Sequence, residues 1–288
     1  MTDKTDNRKA DLHIHTLASD GADSVVQVLE AARREGLAAV SITDHDSVDS
    51  VAEAVALGPG YGIEVVPGIE ISVDLGETEM HLLGYFIDYR DRELLARLSY
   101  LRDIRSRRAA RMLEILAGMG IPLDLEALLP GQITGSVGRL HIALALVRAG
   151  HVRSPGEAFA RYIGNDGPAY VAKLKLEVPE AMEMILRAGG VPVLAHPGQF
   201  GRDEMIPALI DRGLAGLEVY YPSHSRFQVN HFLELARHYG LSATGGSDSH
   251  GLNKEKVHIG AAAAPYPVVA ELRARAASGR EKSKCLKT

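Results

Sequence analysis

The chain has 288 residues, of which 46% are hydrophobic and 24% are charged, a composition typical of a folded globular protein rather than a disordered one. Its 32 basic and 37 acidic side chains give a formal charge of −5, which argues against a general nucleic-acid coat. A single cysteine, Cys285, excludes an internal disulfide framework and a cysteine-rich zinc site. The sequence has no signal-peptide pattern and no apolar run long enough to span a membrane, so we expect a cytoplasmic protein without a membrane partner.

The first part of the chain alternates strand and helix signals. Ser24 is a good N-cap and Gly36 a good stop for a first helix. Apolar runs and periodicity predict strands at residues 11–16, 37–43, 63–66, 69–73 and 80–87, and helices at residues 25–35 and 51–57.

The middle of the chain changes to helical signals. A long apolar period of helical spacing covers residues 91–119, and shorter helices are predicted at residues 139–149 and 156–163. Strand signals are weak throughout this stretch. We therefore predict a helical insert over residues 90–175, which divides the remaining domain into residues 1–89 and 176–288.

Strand and helix signals alternate again towards the end of the chain. Strands are predicted at residues 191–195, 217–221 and 241–244, and helices at residues 178–188, 205–212, 225–238 and 268–277. Repeated strand–helix units of this length predict an α/β domain, with outer helices on a parallel sheet that is either open or closed into a barrel.

Polar side chains with metal-binding chemistry gather where the predicted strands end. Because the carboxyl ends of parallel strands meet at one face, we expect these side chains to converge. Burying so many imidazoles and carboxylates without cations would be costly. Nitrogen and oxygen donors suit Zn²⁺, Mn²⁺ or Fe²⁺ better than calcium, and the number of donors exceeds the first shell of one ion. The predicted ligands of two or three ions are His13, His15, Asp20, His45, Glu70, His81, His196, Asp248 and His250.

The order of these residues resembles that of the polymerase and histidinol phosphatase (PHP) superfamily. The resemblance runs from residue 11 to about residue 250 and rests on Asp20, Glu70, His81 and the motifs His13-x-His15, Thr43-Asp44-His45, Ala195-His196-Pro197 and Asp248-Ser249-His250. It implies an α/β fold, a distorted (β/α)7 barrel, with three divalent transition metal ions. Mn²⁺ is the first choice, with Fe²⁺ or Zn²⁺ as alternatives.

The resemblance also implies how the ligands are shared among the three ions. The first ion would be held by His13, His15, Glu70 and Asp248, and the second by His81, His196 and a bridging Glu70. The third would be held by Asp20, His45 and His250.

Such a site predicts hydrolysis by a hydroxide that bridges two ions. Metal ions make this nucleophile available near neutral pH and neutralise charge on a phosphoryl group. An amide hydrolase can use the same hydroxide, but a third ion favours phosphate because phosphate offers several oxygens. We expect Glu70 and Asp44 to take part in catalysis, together with His224 as a proton donor or phosphate ligand.

The helical insert is expected to select the substrate. Ser136, Arg139 and His141 lie where a glycine-rich turn enters a helix, a place suited to phosphate, although an ordinary helix entry explains them equally well. Tyr170 is a candidate to stack on a base and Lys173 to bind a second phosphate, the alternative being a solvated loop. Three further arginines, Arg102, Arg105 and Arg108, share a helical face, which indicates either an RNA contact or a solvated stripe. Arg226, near His224, is a last substrate-binding candidate.

The segments Arg139-Leu140-His141 and Gly167-Pro168-Ala169-Tyr170-Val171 resemble one branch of the superfamily. That branch acts on nucleoside 3′,5′-bisphosphates or on 5′-phosphorylated RNA ends. The resemblance implies a phosphomonoesterase that converts, for example, adenosine 3′,5′-bisphosphate to AMP and phosphate. The alternatives are a 5′-to-3′ exoribonuclease on short RNA, a histidinol-phosphate phosphatase and a metal-bearing regulatory module. The expected partner is a nucleotide or a short RNA, and nothing indicates an obligate protein partner.

Overall fold

The computed structural model describes residues 7–75, 79–128, 137–172, 176–251 and 257–285. Two of the predicted substrate-binding residues, Ser136 and Lys173, lie outside these ranges. None of the described helices is both long enough and apolar enough to cross a membrane.

The described strands form two sheets. The first has the order β3-β2-β1-β9 and consists of β1 (Lys9–Ile14), β2 (Ala39–Ile42), β3 (Glu64–Val65) and β9 (Ala264–Pro265). The second has the order β4-β5-β6-β7-β8 and consists of β4 (Gly68–Asp74), β5 (Glu79–Tyr85), β6 (Val191–Leu194), β7 (Gly216–Tyr220) and β8 (Ser242–Gly245). Isolated parallel bridges, Ile14 to Ser249 and His45 to Glu70, join the two sheets beyond the strand ends.

The α/β class is confirmed, but the strand pairing differs from that of a fully parallel barrel. β5 is antiparallel to both of its neighbours, β4 and β6, whereas β6, β7 and β8 are parallel to one another. Four residues separate β4 from β5, and a parallel neighbour would need a crossover of about a dozen. Within the described residues the pairing forms two sheets and does not close into a (β/α)7 barrel.

The helices follow the predicted positions, with several differences in their ends. The first, α1, has the predicted cap: Ser24 and Gln27 form a reciprocal capping box. The α-helices are α1 (Val25–Arg34), α2 (Val51–Tyr61), α3 (Arg92–Gly118), α4 (Leu125–Leu128), α5 (Arg139–Arg148), α6 (Pro155–Ala158), α7 (Val178–Arg187), α8 (Pro197–Phe200), α9 (Ile206–Ile210), α10 (Arg226–Tyr239) and α11 (Pro267–Cys285). A π-helical turn, Phe159–Ile163, follows α6, and a 3-10 turn, Asp203–Met205, precedes α9.

The apolar core is divided, and the long helix α3 contributes to two parts of it. Leu94 and Leu98, in its first half, pack in the cluster that covers the second sheet. Met112 and Leu116, in its second half, pack with α5 and the π-helical turn in a separate cluster. The predicted insert therefore has an apolar cluster of its own, while the start of α3 belongs to the packing of the sheet domain.

Candidate metal centre

The loops and strand ends of both sheets bring the nine predicted ligands together. His13 lies on β1, Glu70 on β4 and His81 on β5, while the others follow strand ends. Three non-glycine residues in or beside the site have positive φ angles: Asp46 at 47°, His196 at 28° and Asp248 at 51°. Such strained backbone conformations persist only where the surrounding structure holds them in place, and they are common at functional sites.

Glu70 lies at the centre of the cluster. Its Oε2 is 3.3 Å from His13 Nε2, 3.2 Å from His15 Nε2 and 3.1 Å from His45 Nδ1. Its Oε1 is 2.8 Å from His81 Nδ1 and 3.4 Å from His196 Nε2. The carboxylate is only 1% exposed. One buried side chain thus contacts five imidazoles.

The remaining ligand candidates complete three groups, each with ligand atoms within 4.8 Å of one another. These are His13 with His15 and Asp248; His45 with Glu70 and His81; and His15 with Asp20, His45 and His250. His196 joins through its contact with Glu70. The groups resemble the predicted division in part. His15 and His45 are each shared between two groups, and Glu70 belongs to one group where the prediction placed it in two.

The donor set fits divalent metal ions. His45 Nδ1 and Glu70 Oε2 are buried and close together, yet neither makes a hydrogen bond with the described residues. His15 Nδ1 is a third buried atom without one. Buried polar atoms are normally hydrogen-bonded. Buried nitrogen and oxygen atoms that lie close together without hydrogen bonds are therefore typical of a metal site.

The charges of the cluster depend strongly on one another. Burial alone would lower the pKa of His15, but its interactions with the carboxylates of Asp248 and Glu70 outweigh burial and raise the pKa to about 9. Burial acts to raise the pKa of Glu70, yet the neighbouring imidazoles of His45, His81 and His13 hold it well below the usual range. Burial also lowers the pKa of His45, which keeps that ring neutral and able to bind a cation.

Glu218, on β7, supports the cluster from behind and was not predicted. This carboxylate is fully buried; it accepts a hydrogen bond from His13 Nδ1 at 2.9 Å and another from the backbone N–H of His196 at 2.8 Å. The first bond directs His13 Nε2 towards Glu70 and Asp248. A carboxylate behind a metal-binding histidine fixes the ring orientation and raises its basicity.

Replacing Glu218 with Gln should lower metal affinity by about 10–100-fold, since outer-shell partners of metal ligands typically have effects of this size. The amide would lose the charge that supports His13 and turn a donor towards one of the two N–H groups. Competition against a chromophoric chelator measures the affinity. Asp203→Asn is the matched control, because Asp203 pairs with His231 at 2.6 Å outside the cluster. Equal metal affinity in both variants would contradict a supporting role for Glu218.

Tyr221 is a second residue that sequence reasoning missed. Its hydroxyl donates to Asp248 Oδ2 at 2.9 Å and accepts from Gln199 Nε2 at 3.0 Å. This pair of hydrogen bonds orients Asp248 within the cluster. A tyrosine directly after a strand end was the only signal in the sequence.

Asp44, predicted to be catalytic, accepts hydrogen bonds at both of its carboxylate oxygens. Its two oxygens accept from the backbone N–H and hydroxyl of Thr16, both at 2.7 Å, from Ser19 Oγ at 2.6 Å and from Ser50 Oγ at 2.5 Å. The carboxylate is fully buried and links the loops that follow β1 and β2. Asp44 thus holds together the segments that follow His15 and His45, and its part in catalysis stays a prediction.

His224, predicted as a proton donor, is held by the backbone through both ring nitrogens. Its Nδ1 donates to the carbonyl of Val219 at 2.9 Å, and its Nε2 accepts from the N–H of Gly198 at 3.1 Å. Burial lowers the pKa of His224. Both ring nitrogens are thus engaged with backbone groups in this structure, and the role of His224 as a proton donor stays a prediction. Arg226 is exposed and is not among the described residues that line the cavity below.

A cavity of about 270 Å³ separates the cluster from the insert. Asp20, His45 and His81 line it on the cluster side, and four predicted candidates line it on the insert side: Arg105, Arg108, Arg139 and His141. Tyr170 lies behind this wall, with the guanidinium carbon of Arg108 5.8 Å from its ring centre. The cavity therefore has metal-binding side chains on one wall and cations on the other.

Comparison with known proteins agrees with this chemistry. The PHP domain profile matches residues 11–145. The chain is 31% identical to the phosphoribosyl 1,2-cyclic phosphate 1,2-diphosphodiesterase of Eggerthella lenta, covering 87% of this chain and 97% of the relative. It is 34% identical to the 3′,5′-nucleoside bisphosphate phosphatase of Chromobacterium violaceum, covering 83% of this chain and 86% of the relative.

Two further similarities extend the comparison to RNA chemistry and to structure. A 5′-3′ exoribonuclease of Haemophilus influenzae is 30% identical, covering 84% of this chain and 90% of the relative. A solved structure from Bifidobacterium adolescentis, assigned as a metal-dependent phosphoesterase, superposes with a TM-score of 0.84 at 32% identity, covering 92% of this chain and 96% of that one. The chain belongs to the PHP phosphoesterase family and is a hydrolase.

Proposed function

We propose that the protein is a metal-dependent phosphomonoesterase that removes the 3′-phosphate from nucleoside 3′,5′-bisphosphates. The observation that carries this proposal is the cavity with cluster residues on one wall and Arg108 and Arg139 on the other. Arg105 also lines that wall, but its guanidinium is paired with the buried carboxylate of Asp46. A substrate with two phosphates matches two oppositely placed phosphate-binding walls. The similarity to a 3′,5′-nucleoside bisphosphate phosphatase supports the same substrate.

The nine clustered residues would hold three divalent ions, with Mn²⁺ as the first choice. When bound, such ions acidify a water molecule and neutralise charge on the reacting phosphate. Glu70 would hold two of the ion positions together, because its Oε2 contacts His13 and His15 of one group and its Oε1 contacts His81 of another. Asp44 and Glu218 keep the ligands in place by the hydrogen bonds described above.

The division of work between the two parts of the chain is also a proposal. Residues 1–89 and 176–288 would supply the ion-binding face, and the insert of residues 90–175 would supply the wall that selects the substrate. The insert contributes Arg105, Arg108, Arg139 and His141 to the cavity. A phosphate held on this wall would position a nucleotide with its second phosphate towards the cluster.

A cyclic phosphodiester is a second candidate substrate. The relative from Eggerthella lenta is named for a phosphoribosyl 1,2-cyclic phosphate, and the alignment covers 97% of its length. A phosphoribosyl group bearing a cyclic phosphate also presents two phosphates, so the same cavity suits it. Short RNA with a 5′-phosphate is the third candidate, in line with the exoribonuclease relative.

A substrate panel tests the proposed function. Purified protein with Mn²⁺ would be assayed against adenosine 3′,5′-bisphosphate, AMP, histidinol phosphate, a cyclic phosphodiester and a 5′-phosphorylated oligonucleotide. The proposal expects the highest kcat/KM on the bisphosphate, with AMP as the product. Faster hydrolysis of AMP than of the bisphosphate would refute it, and preference for the cyclic diester would establish the second candidate.

Arg139→Ala should lower kcat/KM for the 3′,5′-bisphosphate by about one to two decades, since a charge-assisted contact to phosphate contributes roughly 1.5–3 kcal/mol. The Arg139 guanidinium binds the neutral amide oxygen of Asn165 at 3.0 Å, which leaves its charge available to an anion. Steady-state kinetics on the bisphosphate and on a 3′-monophosphate make the comparison.

The 3′-monophosphate should lose much less, because it lacks the 5′-group that Arg139 would bind. Arg111→Ala is the matched control, since Arg111 is an exposed arginine of the same insert that pairs with Glu114. Equal losses on both substrates in Arg139→Ala would mean that Arg139 serves the reacting phosphate or the fold instead.

A further inference from the structure

The insert presents a buried histidine to the cavity with one ring nitrogen satisfied and the other not. His141 lies in the first turn of α5 and is 2% exposed. The backbone N–H of Gly138 donates to its Nδ1 at 3.0 Å. Its Nε2 is buried and makes no hydrogen bond with the described part of the chain. A buried nitrogen of this kind in a cavity wall points to a ligand.

The hydrogen bond from Gly138 fixes the tautomer of His141. A backbone N–H can only donate, so Nδ1 must offer its lone pair and a neutral ring must carry its proton on Nε2. Burial lowers the pKa of His141, which keeps the ring neutral at neutral pH. The cavity wall therefore contains a fixed, uncharged N–H donor.

The position of His141 decides which substrate atom it meets. It lines the cavity together with Asp20, His45 and His81. In phosphoryl transfer the leaving oxygen departs roughly in line with, and opposite to, the attacking oxygen. Attack from the cluster side directs the leaving oxygen towards the insert wall, to which His141 belongs.

We propose that His141 is a catalytic residue whose neutral Nε2–H donates a hydrogen bond to the ester oxygen of the departing ribose. As a water-derived nucleophile bonds to phosphorus, the ester P–O bond breaks and its electron pair moves to the ribose oxygen. The N–H stabilises this developing charge, and the oxygen then takes a proton from solvent water. His141 itself neither gains nor loses a proton. This inference rests on the proposed phosphomonoesterase function.

Two amide variants separate the donor from the helix cap. The amide oxygen of Asn overlays Nδ1, so His141→Asn keeps an acceptor for Gly138 but removes the donor at the Nε2 position. The amide nitrogen of Gln reaches the Nε2 position, so His141→Gln keeps a donor there but weakens the cap. His141→Gln, which keeps the donor, should be the more active variant. His141→Asn, which keeps the acceptor for Gly138, should have the higher Tm.

The expected rates depend on the leaving group. Removing one preorganised donor costs about 100-fold or more, so His141→Asn should lower kcat/KM for the bisphosphate by about that factor. With p-nitrophenyl phosphate the loss should be below about tenfold, because a stable phenolate needs little help from a donor. His141→Gln should remain within about tenfold of the unmodified enzyme on both substrates.

A measurement that does not depend on activity reports the tautomer. In histidine labelled with ¹⁵N, the resonances that disappear in His141→Gln identify His141, and they should show a proton on Nε2 and a bare Nδ1 between mildly acidic and mildly basic pH. A proton on Nδ1 would overturn the proposal, as would equal losses in both variants or equal losses on both leaving groups. A failure of the proposed function would look different: the unmodified enzyme itself would hydrolyse no phosphomonoester.

Discussion

Glu70→Gln should lower kcat by at least about 1000-fold, because several kcal/mol of metal-dependent stabilisation are at stake and each 1.36 kcal/mol is worth a factor of ten. Glu70 contacts the imidazoles of His13, His15, His45, His81 and His196. The amide keeps the size of the side chain but removes the charge that the proposed bridge requires. It also places N–H groups against ring nitrogens that must stay available to cations.

Metal analysis of purified Glu70→Gln should show a clear reduction in bound ions alongside the loss of rate. Glu64→Gln is the matched control, since Glu64 lies on β3, the preceding strand in the chain, and its carboxylate binds Tyr266 and Arg273 away from the cluster. Full metal content in Glu70→Gln with an unchanged rate would rule out Glu70 as a bridging ligand.

The convergence of the nine residues could be predicted because strand periodicity leaves little freedom at these positions. His13 and His15 are two residues apart, and an extended strand turns such residues to the same side. The other members follow apolar runs, so they lie at strand ends wherever the strands pack together. The class of fold followed from the same alternation of strands and helices.

The roles of side chains behind the cluster could not be predicted, because they depend on contacts between residues distant in the sequence. Glu218 is an acidic residue within an otherwise apolar strand, and only the three-dimensional fold reveals its bond to His13, 205 residues away. Asp44 and His224 have catalytic side-chain types, but hydrogen bonds that include residues more than 20 positions away occupy their polar atoms. The antiparallel direction of β5 depends on the short link before it, which periodicity does not encode.

Removing bound metal should lower activity by at least about 1000-fold and should also destabilise the fold in a way that depends on pH. Without ions, protons on His13 and His15 are the cations that remain to pair with Glu70 and Asp248. Although burial opposes it, the carboxylates around them raise the pKa of both rings, that of His15 to about 9.

The sign of the pH dependence follows from linkage. A histidine whose pKa is raised on folding stabilises the folded state fully below its unfolded value of about 6.5, and this contribution is lost as the pH rises through the folded value of about 9 for His15. The pKa values of the Asp20 and Glu70 carboxylates are lowered, so the stability that these two groups contribute is lost only as the pH falls into the acid range.

As the pH rises from about 6.5 to about 9, the metal-free protein should therefore lose stability. Over the same range the protein should gain affinity for its metal ions, because protons compete less for the ligands. Thermal unfolding with and without a chelator, at three or four pH values across this range, should show a gap in Tm that widens with pH. In His13→Asn/His15→Asn the metal-free protein should lose most of this pH dependence. His258→Asn should keep it, because His258 is an exposed histidine outside the cluster. A gap that stays constant or narrows towards high pH would show that protons do not replace the metal charge in this cluster.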